Sequence, residues 1–316
     1  MSAGRFLKRL LVILVVPALF AVALITLGPS IKEWYVLSNY TPPSEIQALA
    51  NQTTMTDKAR RLFYLNDPQL LDRSQFNASC EGAGGEQTIV LGCYHSPQQG
   101  IYVFHVSEAE LRGIEQVTAA HEMLHAAYDK LSTKERKRID TLLTDYYRAQ
   151  LKDTRIKEVI DIYERRTPEE LPNEMHSIFG TEVESLPAEL EEYYKQYFTD
   201  RSVVVDYAQR YQAAFSSRQD EISTYDLKLL ALETQIGVNQ ASLDQQASAL
   251  KADRSVVERS RDQEQVDSYN QRVSSYNALL AQTNTLVEQY NQLVNERNEI
   301  ALEQKQLQQS INSSIQ

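Results

Sequence analysis

The C-terminal third of the chain constrains the fold most, because residues 203–316 contain one glycine and no proline. Apolar residues recur there at alternating spacings of three and four, which is the pattern of a coiled coil. The predicted seam in the first half comprises Ile222, Tyr225, Leu229, Leu232, Ile236, Leu243, Leu250 and Val257. In the second half it comprises Val266, Tyr269, Val273, Tyr276, Leu280, Val287, Tyr290 and Val294.

A polar stretch at residues 258–265 interrupts this seam. It leaves two arms of about 50 residues, each about 75 Å long at 1.5 Å per residue. An antiparallel hairpin is the preferred interpretation, although a continuous helix that dimerises would bury the same apolar seam residues. Asn239 and Gln246 at seam positions weaken the packing and can set the register. The arms could therefore bind a coiled-coil partner or a second copy of the chain.

An uncharged apolar run at residues 10–27 has about the length of a membrane-spanning helix. Arg5, Lys8 and Arg9 precede it, so the positive-inside rule places the N-terminus in the cytoplasm and the rest of the chain outside. We therefore expect a single-pass membrane protein with an extracytoplasmic body. The small residues at 21–23 leave a cleaved signal peptide as the alternative.

The cysteines bear on a possible disulfide, and the net charge bears on the class of ligand that the protein can bind. The two cysteines, Cys80 and Cys93, flank a glycine-rich loop, and an extracytoplasmic location would allow a disulfide between them. The net charge of −11 and the absence of a broad basic patch argue against nucleic-acid binding.

The middle of the chain mixes helical and strand patterns. Residues 87–94 and 101–106 are rich in β-branched and aromatic residues and predict a small antiparallel hairpin. The other periodic segments predict helices at 44–50, 56–65, 107–129, 133–163, 173–183 and 189–198. The expected class is α+β and mainly α, with a short antiparallel sheet and a helix that carries the site, followed by a helical coiled-coil hairpin.

The sequence His121-Glu122-Met123-Leu124-His125 carries the clearest chemistry. On a helix, two histidines four residues apart share one face and can bind a single Zn²⁺, while Glu122 reaches a water at the metal. The apolar flanks indicate a buried helix, where these polar groups would be costly without a partner. The motif therefore predicts a zinc site with His121 and His125 as ligands and Glu122 as general base.

This motif resembles the metal-binding helix of the zincin metallopeptidases. A second stretch, residues 173–181, resembles the second zinc-binding helix of the gluzincins, which reads Asn-Glu-x-x-Ser-Asp followed by Ile-Phe-Gly-Thr in thermolysin-like members. Asn173, Glu174 and Ser177 match in place. The family's Asp, which would orient a zinc histidine, is absent, and Ile-Phe-Gly-Thr arrives one residue early.

The resemblance implies Glu174 as third zinc ligand, with His176 and Glu182 as alternatives. It also implies that a tyrosine or histidine stabilises the oxyanion, for which Tyr163 and His176 are candidates. The strand at 101–106 would pair with an extended peptide substrate, as the edge strand beside the active helix does in the family.

The leading hypothesis is a membrane-anchored zinc metallopeptidase that hydrolyses peptide bonds. The alternative is a structural or adaptor protein of the cell envelope whose coiled coil is the functional part. We expect an anchor at residues 1–30, a linker at 31–43, a zincin-like domain at 44–202 and the coiled coil at 203–316.

Overall fold

The computed structural model of the protein describes residues 31–80, 91–97, 99–260 and 262–312. Residues 31–39 are helical. The helices named here α1 to α10 are Ser44–Gln52, Asp57–Leu65, Arg73–Cys80, Ile114–Asp129, Thr133–Ala149, Thr154–Arg166, Leu171–Thr181, Ala188–Tyr194, Arg201–Val257 and Gln263–Ile311. Strands β1 to β3 are Gln69–Leu71, Gly92–His95 and Gly100–Phe104. The prediction of a mainly helical α+β fold is confirmed.

The three strands form one mixed sheet in the order β1-β3-β2. β2 runs antiparallel to β3, with Gly92 opposite Val103, so the predicted antiparallel pairing is confirmed for residues 92–95 and 100–104. Residues 87–90 of the predicted first strand lie outside the described residues. β1 runs parallel to β3 on its other side, with Gln69 opposite Tyr102. The prediction that residues 101–106 form the substrate-pairing edge is therefore wrong, because β3 is the central strand.

Two predicted helices have different bounds. The helix expected from residue 107 begins at Ile114, after a 3₁₀ turn at Ala109–Leu111, because Gly113 adopts a φ of 112° that interrupts the helix. The helix expected at 133–163 is two helices, α5 and α6. The side chain of Asp153 accepts a hydrogen bond from the backbone of Ile156 and so starts the second.

Helix α4 lies at the centre of the first compact unit and packs against α1, α2, α7, β2 and β3. Its middle is fully buried at Ala119, Ala120, Met123 and Leu124. α7 approaches α4 closely at Gly180, where an added Cβ would lie 2.4 Å from Cδ1 of Leu124. This close approach brings the side chains of the two helices together at the site.

The predicted disulfide is confirmed. Cys80 at the end of α3 is bonded to Cys93 in β2, with the two Cα atoms 6.0 Å apart. The bond therefore fastens β2 to α3. The loop between the two cysteines lies outside the described residues.

The second compact unit, Gln212–Gln309, is an antiparallel hairpin of α9 and α10. Arg297 bonds to Asp226 across the hairpin at 3.0 Å, and Arg272 pairs with Asp253 nearer the turn. The residue numbers in each pair add to nearly the same value, as antiparallel pairing requires. The hairpin interpretation is therefore confirmed.

The seam of α10 departs from the predicted one near its middle. Leu280 and Val287 are each 38% exposed, whereas Thr283 is buried. The less exposed residues of α10 are separated by three positions between Val273 and Tyr276 and by three again between Tyr276 and Leu279. Spacings of four and three alternate after Leu279 as far as Tyr290. This extra three-residue step shifts the stripe around the helix, so the prediction of Leu280 and Val287 in the seam is wrong.

The predicted single-pass membrane location is wrong for the part of the chain that the structure describes. None of the helices there is both long and apolar enough to cross a membrane. Residues 10–27, on which the prediction rested, lie outside the described residues.

Candidate metal centre

Three side chains from two helices converge at the contact between α4 and α7. Nε2 of His121 lies 3.6 Å from Oε2 of Glu174, and Nε2 of His125 lies 3.7 Å from Oε1 of the same carboxylate. One ligand atom from each of the three residues lies within 4.8 Å of the other two. The helical spacing of the histidines and the close packing of α7 create this arrangement.

The arrangement fits a metal ion. Ligands at 2.0–2.1 Å from a tetrahedral zinc would be about 3.4 Å from each other, and the two histidine-to-glutamate distances are only slightly longer. A small movement of the side chains would close the set around an ion. The group His121, His125 and Glu174 could therefore hold a metal ion.

Burial and charge also suit a cation. Burial raises the pKa of the Glu174 carboxyl, but His125, His121 and a hydrogen bond from Tyr163 outweigh it, so the pKa lies below its ordinary value. Burial lowers the pKa of His125 despite the opposing effect of Glu174. A carboxylate beside a neutral imidazole supplies the lone pairs that a divalent metal binds.

The residues behind the ligands hold them in place. The hydroxyl of Ser177 lies 3.3 Å from Nδ1 of His125. Tyr163, which was predicted to stabilise the oxyanion, contacts the carboxylate of Glu174 in the structure.

Glu122, the predicted base, is 1% exposed and lies under strand β2. A Cβ added at Gly92 would lie 2.5 Å from Oε1 of Glu122 and 2.5 Å from Cγ2 of Thr118. Only glycine lets the strand pass this close to the glutamate. Sequence reasoning assigned Gly92 no role, although a glycine within a strand pattern signals such a close backbone approach.

His176 and Glu182, the alternative ligands, are placed elsewhere. Nε2 of His176 lies 2.8 Å from the hydroxyl of Tyr193. Burial, with the neighbouring His125 and His121, lowers the pKa of His176 to about 3. Glu182 forms an ion pair with Arg155 at 2.8 Å. The rings of four tyrosines surround His176, namely Tyr128, Tyr193, Tyr194 and Tyr197.

Comparisons with models of known protein families, with curated proteins and with solved structures each gave no match.

Proposed function

We propose that the protein is a zinc-dependent peptidase in which His121, His125 and Glu174 bind the metal and Glu122 is the general base. The observation that carries the proposal is the convergence of two histidines and a buried carboxylate, with a second buried glutamate next to the first histidine. A site that only bound a metal for stability would not need that second glutamate. The two short stretches that resemble zincin metallopeptidases support peptide-bond hydrolysis as the reaction.

Bound zinc would lower the pKa of water to about 7 and polarise the carbonyl of a peptide bond. Glu122 would accept the proton of the attacking water at its carboxylate and pass it to the departing amine. Against the effect of burial, His125 and His121, with a smaller contribution from the hydrogen bond of Tyr163, would favour the ionised form of the Glu174 carboxyl. Among the described strands β2 pairs only with β3, so its other edge is the better candidate to pair with an extended peptide.

Metal content and peptide digestion test this proposal in the full chain. Glu122→Gln should retain zinc and reduce digestion of a peptide library by about 10²- to 10⁴-fold, because only the base is lost. Glu174→Ala should lose both zinc and activity. Glu189→Gln, an exposed glutamate on α8, is the matched control and should change neither.

Two results would contradict the assignment. Normal digestion by Glu122→Gln would exclude this mechanism. Zinc binding that survives in Glu174→Ala but is lost in His176→Ala would move the third ligand to His176.

A binding role for the helical hairpin is the second candidate. Leu227, Leu230 and Val238 are 70%, 61% and 61% exposed, and their spacing places all three on one side of α9. A coiled-coil protein or a second copy of the chain would be the partner. Absence of peptide digestion by the zinc-loaded chain, together with concentration-dependent association, would favour this role.

A further inference from the structure

The disulfide lies next to the contact between β2 and the proposed base. Cys93 immediately follows Gly92, the residue whose Cα side faces Oε1 of Glu122. Of the two bonded residues, Cys93 is 4% exposed, whereas Cys80 is partly exposed. Cys80 is thus the more exposed end of the disulfide.

The two ends of β2 are held differently. Toward the far end, the hydroxyls of Tyr94 and Ser96 bond to the carboxylate of Asp129, the last residue of α4, and Nε2 of His95 lies 2.7 Å from the carbonyl oxygen of Ser79 on α3. At the Gly92 end, Phe104 donates a backbone hydrogen bond to Leu91, and the disulfide is the covalent attachment. The end of the strand that covers Glu122 is thus the end that the disulfide holds.

On the Cys80 side, the disulfide is attached to α3. α3 packs on the sheet through Phe76, whose ring lies 5.6 Å from that of Phe104. Phe76 and Phe104 are both buried. The disulfide therefore joins the Gly92 end of a four-residue strand to a helix that packs on the sheet through Phe76.

We propose that the Cys80–Cys93 disulfide positions Glu122 by holding β2 against it, so that reduction of the bond lowers catalysis while leaving the metal bound. This inference rests on the proposed peptidase function. The cysteines are positioning residues, since they touch Glu122 only through Gly92. The three metal ligands lie on α4 and α7, neither of which the disulfide joins.

The test uses the zinc-loaded full chain and a phosphine reductant. The phosphine takes the oxygen of one water and becomes a phosphine oxide, while the two sulfurs receive two electrons and two protons and become thiols. Thiol counting then confirms complete reduction. We expect the kcat for peptide hydrolysis to fall by roughly 10²-fold, the loss typical of a catalytic group displaced by about 1 Å. Zinc content should stay constant.

Two variants separate positioning from general damage. Cys80→Ser/Cys93→Ser should have the low kcat of the reduced protein and should not respond to the phosphine. Gly92→Ala should lower kcat with the disulfide intact, because the added Cβ would displace Glu122. Hydrogen exchange of the backbone amides of residues 92–95 should accelerate on reduction in the unsubstituted chain.

The outcomes are distinct. Unchanged kcat after full reduction, or loss of zinc together with activity, would overturn the inference. If the oxidised chain digests no peptide at all, the peptidase proposal fails. Hydrogen exchange then decides alone whether the disulfide holds β2: faster exchange on reduction supports it, and unchanged exchange overturns it.

Discussion

The hydroxyl of Ser177 lies 3.3 Å from Nδ1 of His125, on the side of the ring opposite the nitrogen that faces Glu174. The ring nitrogen that does not bind a metal normally bonds to a neighbouring polar group, which fixes the orientation of the histidine. Ser177 lies one turn after Glu174 on α7. The helix that supplies the carboxylate thus also orients one of the histidines.

Ser177→Ala should weaken zinc binding about tenfold, because the His125 ring loses a partner that orients it. Competition with a chelator of known affinity measures the change. Thr181→Ala is the matched control, since the hydroxyl of Thr181 is also buried on α7 but bonds to the carbonyl of Ser177. An equal loss of affinity in both variants would assign the effect to the helix rather than to His125.

Gly180→Ala should destabilise the protein by about 1–3 kcal/mol, because the new methyl group would overlap Leu124 and push α7 away from α4. Chemical unfolding followed by the tyrosine signal in near-ultraviolet circular dichroism measures this change. Gly237→Ala is the control, since its Cβ position faces open space. That change should instead stabilise α9 by about 0.5–1 kcal/mol. Similar effects of the two changes would contradict the close packing of α7 on α4.

Glu33→Gln should lower the free energy of unfolding by about 0.5 kcal/mol at pH 7, since Lys130 and Arg61 are largely exposed partners. Burial raises the pKa of Glu33, but hydrogen bonds and charge from Lys130 and Arg61 outweigh it, and the pKa is lowered. A lowered carboxyl pKa stabilises the fold above the ordinary value of 4.5, and this contribution is lost as the pH falls through the folded-state pKa.

Urea unfolding at several pH values checks this dependence on Glu33. The difference from the unsubstituted chain should disappear in acid. Glu158→Gln removes an equivalent charge from an exposed position on α6 and serves as the control. A difference that persists unchanged well below pH 4.5 would contradict the ion-pair explanation.

Asn239→Leu should stabilise the hairpin by about 1 kcal/mol, because the buried Nδ2 of Asn239 has no hydrogen-bond partner among the described residues and its desolvation is uncompensated. Hydrogen exchange of the neighbouring amides in α9 should slow about fivefold. Asn277→Leu, at an exposed position of α10, should give no such gain. Faster exchange in Asn239→Leu would mean that Asn239 stabilises the register more than its burial costs.

The periodic spacing of apolar residues predicted the helices better than the strands. The heptads of α9 and α10 persist over many turns, so a local interruption does not hide them. Strand β1 could not be predicted, because three residues carry no period and its partner β3 lies about thirty residues further along the chain. The phase change near Tyr276 was missed because Leu279 and Leu280 are both apolar, and either one continues the stripe.

Part of the candidate site could also be predicted from sequence. The spacing of His121 and His125 indicated their shared face, and the second stretch pointed to Glu174. The contact of Gly92 with Glu122 could not be derived, because it depends on how the sheet packs on α4. Likewise, the role of Ser177 depends on the ring orientation of His125, which spacing alone does not fix.

Arg201 begins α9, and its guanidinium also donates to the carbonyls of Val183 and Glu184, just beyond the end of α7. The next turns of α9 bury Val204, Val205 and Ala208. A protease cut or deletion at residue 203 would therefore remove part of the hydrophobic core together with the arm. Along α9 the first compact unit extends to Tyr211, about two turns further, and it also includes the C-terminal segment from Ser310, whose carbonyl accepts a hydrogen bond from Arg73. Removal of the arm without loss of the first unit would therefore excise residues 212–309 and keep the segment that follows them.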